Sequence, residues 1–224
     1  MVARAAYPGD LGAALREFRE GRRREPRWTR ANWGHHAFLT QAFESMARTL
    51  REAGVDPSAG DVVLGVGPNG ARFLDYLRRS GDPGPTLRAV DVQPDGTLPA
   101  ADGSAVAVVL SLVLSEQPSP VARAQIAREC RRVLPPDGVV VCWDARLPNP
   151  RNRAIGAVGR RELARLFPGG RIESASLTLL PPLARSLGPA APFVYPAFEL
   201  LPPLRSHLLA TIRLRELAAA VPSR

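Results

Sequence analysis

The chain contains no lysine: every one of its 30 basic side chains, in 224 residues, is an arginine. Alanine, glycine and proline are abundant alongside, so the pattern reads as a GC-rich coding sequence rather than as a function. Cysteine is scarce too. Cys130 and Cys142 are too few for a disulfide framework or a cysteine-based metal centre, and no metal site is expected. No apolar run is long and unbroken enough to cross a bilayer. The opening MVARAAYPGDLGAALREF lacks the continuous hydrophobic region of a signal peptide, so a cytoplasmic location away from membranes is expected. Also missing are HExxH, a P-loop ending in GK[ST], GxSxG and CxxC. Their absence argues against a metalloprotease, an NTPase, an α/β-hydrolase and a thioredoxin-like protein.

The formal charge of +9 could suit nucleic acid or an anionic substrate. Its densest stretch, GRRREPRWTR at Gly21–Arg30, reads more simply as a solvated basic face, because arginine is scattered through every other segment as well. The length allows one sizeable core.

Periodicity then orders the chain. A short helix is expected at Leu11–Glu20. A longer one in HAFLTQAFESMARTLREAG sets Phe38, Leu39, Ala42, Phe43, Met46 and Leu50 on one face and stops at Gly54. Next come strand Asp61–Val66, a glycine turn, helix Ala71–Arg79 and strand Thr86–Val92. The apolar run AVAVVLSLVL suits a buried strand. The helix VARAQIARECRRVL, with Val121, Ile126, Cys130, Val133 and Leu134 inward, leads through PPDG into the strand VVVCWDA. Helix Arg160–Leu166, the alternating strand RIESASLTLL, a proline-rich apolar segment and a final strand HLLATIRL complete the order. Alternating strands and helices predict an α/β fold with a parallel sheet covered on both faces.

The order strand–glycine turn–helix, then a strand ending in Asp, then ARECRRVLPPDGVVVCWDARLPNPRN, resembles the class I S-adenosylmethionine-dependent methyltransferases. The helix–turn–strand piece looks like that family's "E…RVLkPGG" motif. The segment LPAADGSAVAVVLSLVL looks like its "LPfpDgSfDvV" run, with Ala105-Val106 where the family has an apolar residue and an acid. The C-terminal stretch RRELARLFPGGRIESASLTLLPPLARSLGP is similar to a bacterial subgroup of small methyltransferases. The resemblance implies a Rossmann-like sheet with helices on both faces, lacking the family's third, edge strand, because only VQPDGT separates Asp91 from the next family motif. The stretch from Val92 to Ser104 can span about 40 Å, enough to cross back under the sheet. It also implies a helical cap at 1–54 and an α/β domain at 55–224, with a proline-rich lid at about 181–204.

The same resemblance places S-adenosylmethionine at Gly65, Gly67, Asn69, Gly70, Asp91 and Ser111. Three departures accompany it. Gly65 stands where the family keeps an acid, the turn is one residue short, and Pro68 removes a backbone donor. Asp91 matches the acid that accepts both ribose hydroxyls, although an Asp there can equally start the QPDG turn. The family's adenine-contacting strand tip is lost with the third strand, unless N-terminal helices or a second subunit rebuild it.

Candidate bases for the acceptor are His35 and His36, which can also be helix-start or packing residues. Asp144 orients a substrate or a base, or simply caps its turn; Glu116 is similarly placed, and His207 reads as structural. Trp28, Trp33 and Trp143 line an acceptor pocket or belong to the core. These readings imply a methyltransferase acting on a small apolar metabolite of secondary metabolism. The alternative is a reused scaffold that no longer takes the methyl donor, either a cofactor-free cyclase or isomerase or a non-catalytic partner subunit. An RNA methyltransferase ranks last. The expected partners are a small-molecule substrate and a second copy or a partner subunit; neither membrane nor nucleic acid is expected.

Overall fold

The computed structural model describes residues 33–56, 59–80, 86–117, 119–148 and 155–214. The helix expected at Leu11–Glu20, the basic stretch Gly21–Arg30, Trp28 and the C-terminal tail lie outside them. Two compact units are present. One comprises residues 1–45 and 176–207, the other residues 46–175 and 208–224, and the chain passes from one to the other within an α-helix and within two strands.

Six strands form one sheet: β1 (Val63–Val66), β2 (Leu87–Val90), β3 (Ala107–Ser111), β4 (Val139–Ala145), β5 (Arg171–Leu179) and β6 (Arg205–Arg213). Their order is β2-β1-β3-β4-β6-β5, and β1 pairs in parallel with both β2 and β3, as β3 does with β4. Among the described residues no strand lies beyond β2, so the third strand of the resembled fold is missing from that edge. β1, β3 and β4 are buried along their whole length, as continuous Val-rich runs require when helices cover both faces.

Helix α1 (Trp33–Glu52) buries Phe38, Ala42, Phe43, Met46 and Leu50, and leaves Leu39 only half-buried. It stops at Gly54, whose φ of +83° is available to glycine at little steric cost, with Val55 N–H returning to Leu50 O at 3.1 Å. Helix α2 spans Gly67–Arg79 and α3 spans Pro120–Val133. Ser119 caps α3 by accepting from Val121 N–H, and Pro120 fills the first turn, where a missing donor costs nothing. Ile126, Cys130, Val133 and Leu134 are buried as expected, but Val121 is 73% exposed. Five residues before Ile126 is about 140° around the helix from it, off the buried face. Helix α4 (Arg160–Leu166) precedes β5, and short helices α5 (Pro181–Ser186) and α6 (Ala191–Glu199) occupy the proline-rich segment.

The core of the second unit gathers Leu64, Val66, Leu110, Ile126, Cys142 and Phe167 with their neighbours. Both cysteine thiols are free and buried in it; burial pushes Cys130 up to about 12 and Cys142 well above its ordinary value, so both stay protonated.

The missing strand is replaced by a run of chain laid along α3. Leu98 N–H donates to Glu129 Oε2 at 2.9 Å, while the Arg132 guanidinium donates to Leu98 O, Ala100 O and the Asp102 carboxylate. Arg132 also pairs with Glu129 at 2.7 Å. Gly103 and Ala105 then donate to the last carbonyls of α3, Arg132 O and Val133 O, and the chain enters β3. Glu129, 6% exposed, is held ionised by Arg132, which lowers its pKa against the opposing effect of burial. Replacing Arg132 by alanine strands that carboxylate together with two part-buried backbone carbonyls, while Asp102 returns to water. Arg132→Ala is therefore expected to lose roughly 2–4 kcal/mol of unfolding free energy at pH 7, read by urea denaturation.

Candidate functional site

The carboxyl ends of β1, β2, β3 and β4 belong to the second unit, and five of the six expected cofactor residues stand at the ends of β1 and β2 or in the first turn of α2. The glycine turn is tighter than a loop, because α2 begins at Gly67 directly after β1. Gly67 has φ +72°. A Cβ on Gly65 would come within 2.7 Å of Gly70 O, and one on Gly70 within 2.6 Å of Gly65 C. The short turn thus seats the helix backbone against the strand backbone, and no side chain fits at position 65. Pro68 lies in the first helical turn, where its lack of an N–H is harmless. Val66, the residue before the helix, provides no side-chain cap, so the first-turn N–H groups have no capping partner from it. Asn69 Oδ1 accepts from Arg72 at 3.4 Å.

Asp91 comes directly after the last residue of β2 and is exposed. Among the described residues its carboxylate makes no hydrogen bond or ion pair. The turn after it is organised instead by Asp95, which accepts from Thr97 N–H and Oγ1–H at 3.0 and 2.7 Å; those bonds lower its pKa. Gly96 N–H closes the turn on Gln93 O at 2.8 Å. Asp91 is therefore not the residue that shapes QPDG.

Ser111 ends β3, opposite Trp143 in the register. It is 2% exposed, and its Oγ is buried with no hydrogen-bond partner among the described residues. The next residue, Leu112, takes φ +60°, a conformation rare for a residue with a Cβ. Asp144 holds this turn. Its carboxylate accepts Leu114 N–H at 2.9 Å, Ser115 N–H at 3.2 Å and Ala145 N–H at 2.9 Å. It is 1% exposed, and burial raises its pKa to about 6 against the pull of these donors. Glu116, on the same turn, is exposed, with its pKa raised by partial burial. Trp143 is fully buried, as a core residue.

The first unit holds the histidines. His36 is exposed and lies 3.4 Å from Thr40 on its own helix. His35 is half-buried and stacks on Phe38, which meets the ring of His207 edge-on at 5.1 Å. His207 is 6% exposed; its Nδ1 lies 2.8 Å from Ser206 Oγ and 2.9 Å from Thr178 Oγ1. Both hydroxyls also lie within hydrogen-bond reach of main-chain carbonyls, Leu179 O and Leu177 O. Burial drives the His207 pKa down to about 3, and the ring is neutral at physiological pH. Thr178 adopts φ +56° there. Nearby in the same unit, Tyr195 accepts Leu179 N–H and donates to Gln41. Sequence reasoning does not reach this polar cluster, because no local signal marks His207 and its partner Thr178 is distant along the chain. Gly34 is set by a close crossing, since a Cβ there would stand 1.7 Å from Ala184 O.

The raised pKa of Asp144 has a measurable consequence. The unfolded carboxyl ionises near 3.8 and the folded one near 6, so between these values the folded state binds more protons and stability falls as pH rises. Asp144→Asn removes that slope. Relative to the native chain, the variant should be less stable at pH 4 by about 2–3 kcal/mol, with the gap narrowing towards pH 7; denaturant midpoints at both pH values check it.

No protein-family model and no curated protein matches the chain. Solved structures do. A SAM-dependent methyltransferase from Archaeoglobus fulgidus superposes with a TM-score of 0.51 at 12% identity, over 76% of this chain and 94% of the other. A SAM-dependent methyltransferase from Aquifex aeolicus gives 0.49 at 13%, over 92% and 98%. The 1,6-didemethyltoxoflavin-N1-methyltransferase of Burkholderia thailandensis, with bound 1,6-didemethyltoxoflavin and S-adenosylhomocysteine, gives 0.48 at 18%, over 96% and 94%. Together with the strand order and the glycine turn at the end of β1, the first of these likenesses establishes the architecture: the chain has the Rossmann-like fold of the class I S-adenosylmethionine-dependent methyltransferases, without that fold's third strand.

Proposed function

We propose that the protein is an S-adenosylmethionine-dependent methyltransferase acting on a small, apolar metabolite. The observation that carries this reading is the Asp91 carboxylate, exposed and unengaged just past the end of β2, two strand ends from an orphan buried Ser111 hydroxyl and beside the uncapped start of α2. An acceptor for a diol, donors for an anion and an unpaired hydroxyl fit the ribose and the amino-acid end of the cofactor. S-adenosylmethionine, when bound, supplies an electrophilic methyl group on a sulfonium sulfur.

The chain's own residues divide the work of binding and positioning. Asp91 accepts hydrogen bonds from the ribose hydroxyls. Gly67 and Asn69 present backbone N–H groups, and Gly65 and Gly70, both without a Cβ, allow the helix to begin close to the strand. Asp144 acts as a positioning residue, fixing the turn that carries Ser111's successors. Of the two proposed proton acceptors, His35 is preferred over His36, which is exposed and turned towards Thr40. The apolar residues of the 181–204 segment, Phe193, Leu200 and Leu201 among them, support an apolar acceptor and a role as a lid. Two buried, protonated thiols are in keeping with a reducing, cytoplasmic setting, and no described helix is long and apolar enough to cross a membrane.

A second reading has its own support. Gly70 O occupies the space that an acidic side chain at position 65 would need, so that contact to the cofactor is lost, and the third strand is gone. A scaffold that has given up the donor for cofactor-free chemistry, or for service as a partner subunit, would tolerate both. Calorimetric titration with S-adenosylmethionine and S-adenosylhomocysteine separates the two. Micromolar binding, weakened more than tenfold by Asp91→Ala, is the expected result, because a hydrogen bond to a carboxylate contributes roughly 1.5–3 kcal/mol. Absence of binding at millimolar ligand would favour the donor-free scaffold.

A further inference from the structure

Every residue of helix α6 before its last, Glu199, is apolar or aromatic, yet the helix covers only one of its faces. Ala191 and Tyr195, one turn apart, are buried within the first unit. The Tyr195 hydroxyl accepts from Leu179 N–H at 3.1 Å and donates to Gln41 Oε1 at 2.8 Å, which fixes the helix against rolling. At about 100° per residue, Phe193, Ala197 and Leu200 then stand about 140–160° around the axis from Tyr195. All three are exposed, Phe193 by 64% and Leu200 by 75%. Phe198 and Leu201 are exposed beside them, and Pro202 carries the strip on. A helix that is apolar all round belongs in an interior. Single apolar side chains on a surface are ordinary, but a contiguous strip marks a contact.

Size and charge select what covers it. At about 200 Å² for a fully exposed aromatic side chain, the strip offers roughly 500 Å² of apolar surface. A standard interface takes about 800 Å² from each partner, and in homodimers about two-thirds of that is apolar. The strip therefore matches the apolar part of one side of a dimer contact. Glu199 is the only charged residue between Arg185 and Arg205, in a chain of net charge +9. An acidic protein or an anionic lipid surface is drawn to arginines, and this stretch has none. Two copies of a strongly basic chain repel each other, and they meet at least cost where neither presents a cation. A twofold contact sets the same patch on both sides, so an uncharged apolar strip is its own complement.

We infer that the protein is a homodimer through this strip, with Phe193, Leu200 and Leu201 of one copy packed on the same residues of the other. Nothing in the contact requires a cofactor, so it stands whether or not S-adenosylmethionine binds.

Sedimentation velocity of the full chain over about 1–100 µM tests it, together with Phe193→Glu and Leu200→Glu. Native protein is expected to sediment with the mass of two chains rather than the 24.1 kDa of one. Its melting temperature should also rise with protein concentration, as mass action requires. Either variant faces its own charge across the twofold axis and should dimerise at least thirtyfold more weakly, with an unchanged circular dichroism spectrum because the replaced side chain is exposed. Val121→Glu, at an exposed apolar residue of the second unit, should leave the dimer intact. A native protein that stays a single chain at about 100 µM overturns the inference. Such a monomer floating with phosphatidylcholine vesicles would assign the strip to lipid, and one that Leu200→Glu makes melt lower would assign it to a cover from the same chain. A dimer that survives both strip variants but is lost with Val121→Glu places the contact elsewhere and overturns it equally.

Discussion

Arg132 grips the chain that stands in for a deleted strand. Its guanidinium reaches two backbone carbonyls and the Asp102 carboxylate on the crossing segment while remaining paired with Glu129 on its own helix, and Glu129 in turn takes the Leu98 N–H. A segment without secondary structure of its own must satisfy its backbone polar groups somewhere. Here α3 supplies the partners that a neighbouring strand would have supplied. Everything on the β2 side of the sheet depends on that docking: where the chain leaves Asp91, where the 93–97 turn meets α3, and how the chain enters β3 at the right register.

The glycine turn expresses a second constraint, one of space. With one residue fewer between β1 and α2, the Gly70 carbonyl comes down on Gly65, and the two glycines require each other. A side chain at position 65 and the close seat of α2 on β1 exclude each other. The start of α2 and the exposed Asp91 carboxylate remain beside that point with their polar groups open.

Asp144 and His207 illustrate opposite uses of burial. Asp144 is surrounded by backbone donors and serves the turn after β3, although burial raises its pKa to about 6. His207 is held neutral by burial, in a cluster with Thr178 and Ser206. In both cases the titratable group is specified by neighbours far away in the chain.

The amino-acid order by itself determined the alternation of strands and helices, because buried parallel strands read as unbroken Val-rich runs and the helices keep apolar residues at helical spacing. It also announced the missing third strand, since the number of residues after Asp91 is too small to build one. Gly54 marked a helix end through local chemistry that needs no tertiary partner. Tertiary structure alone decided the rest. Whether Glu129 and Arg132 would serve α3 or the crossing chain depends on carbonyls about 30 residues upstream; whether Asp91 or Asp95 shapes the turn depends on where Thr97 lies. The apolar pattern of VARAQIARECRRVL places Val121 inward, and the structure turns it outward. Such outcomes are set by long-range approach, and a linear pattern records only which residues are available to meet, not which of them do.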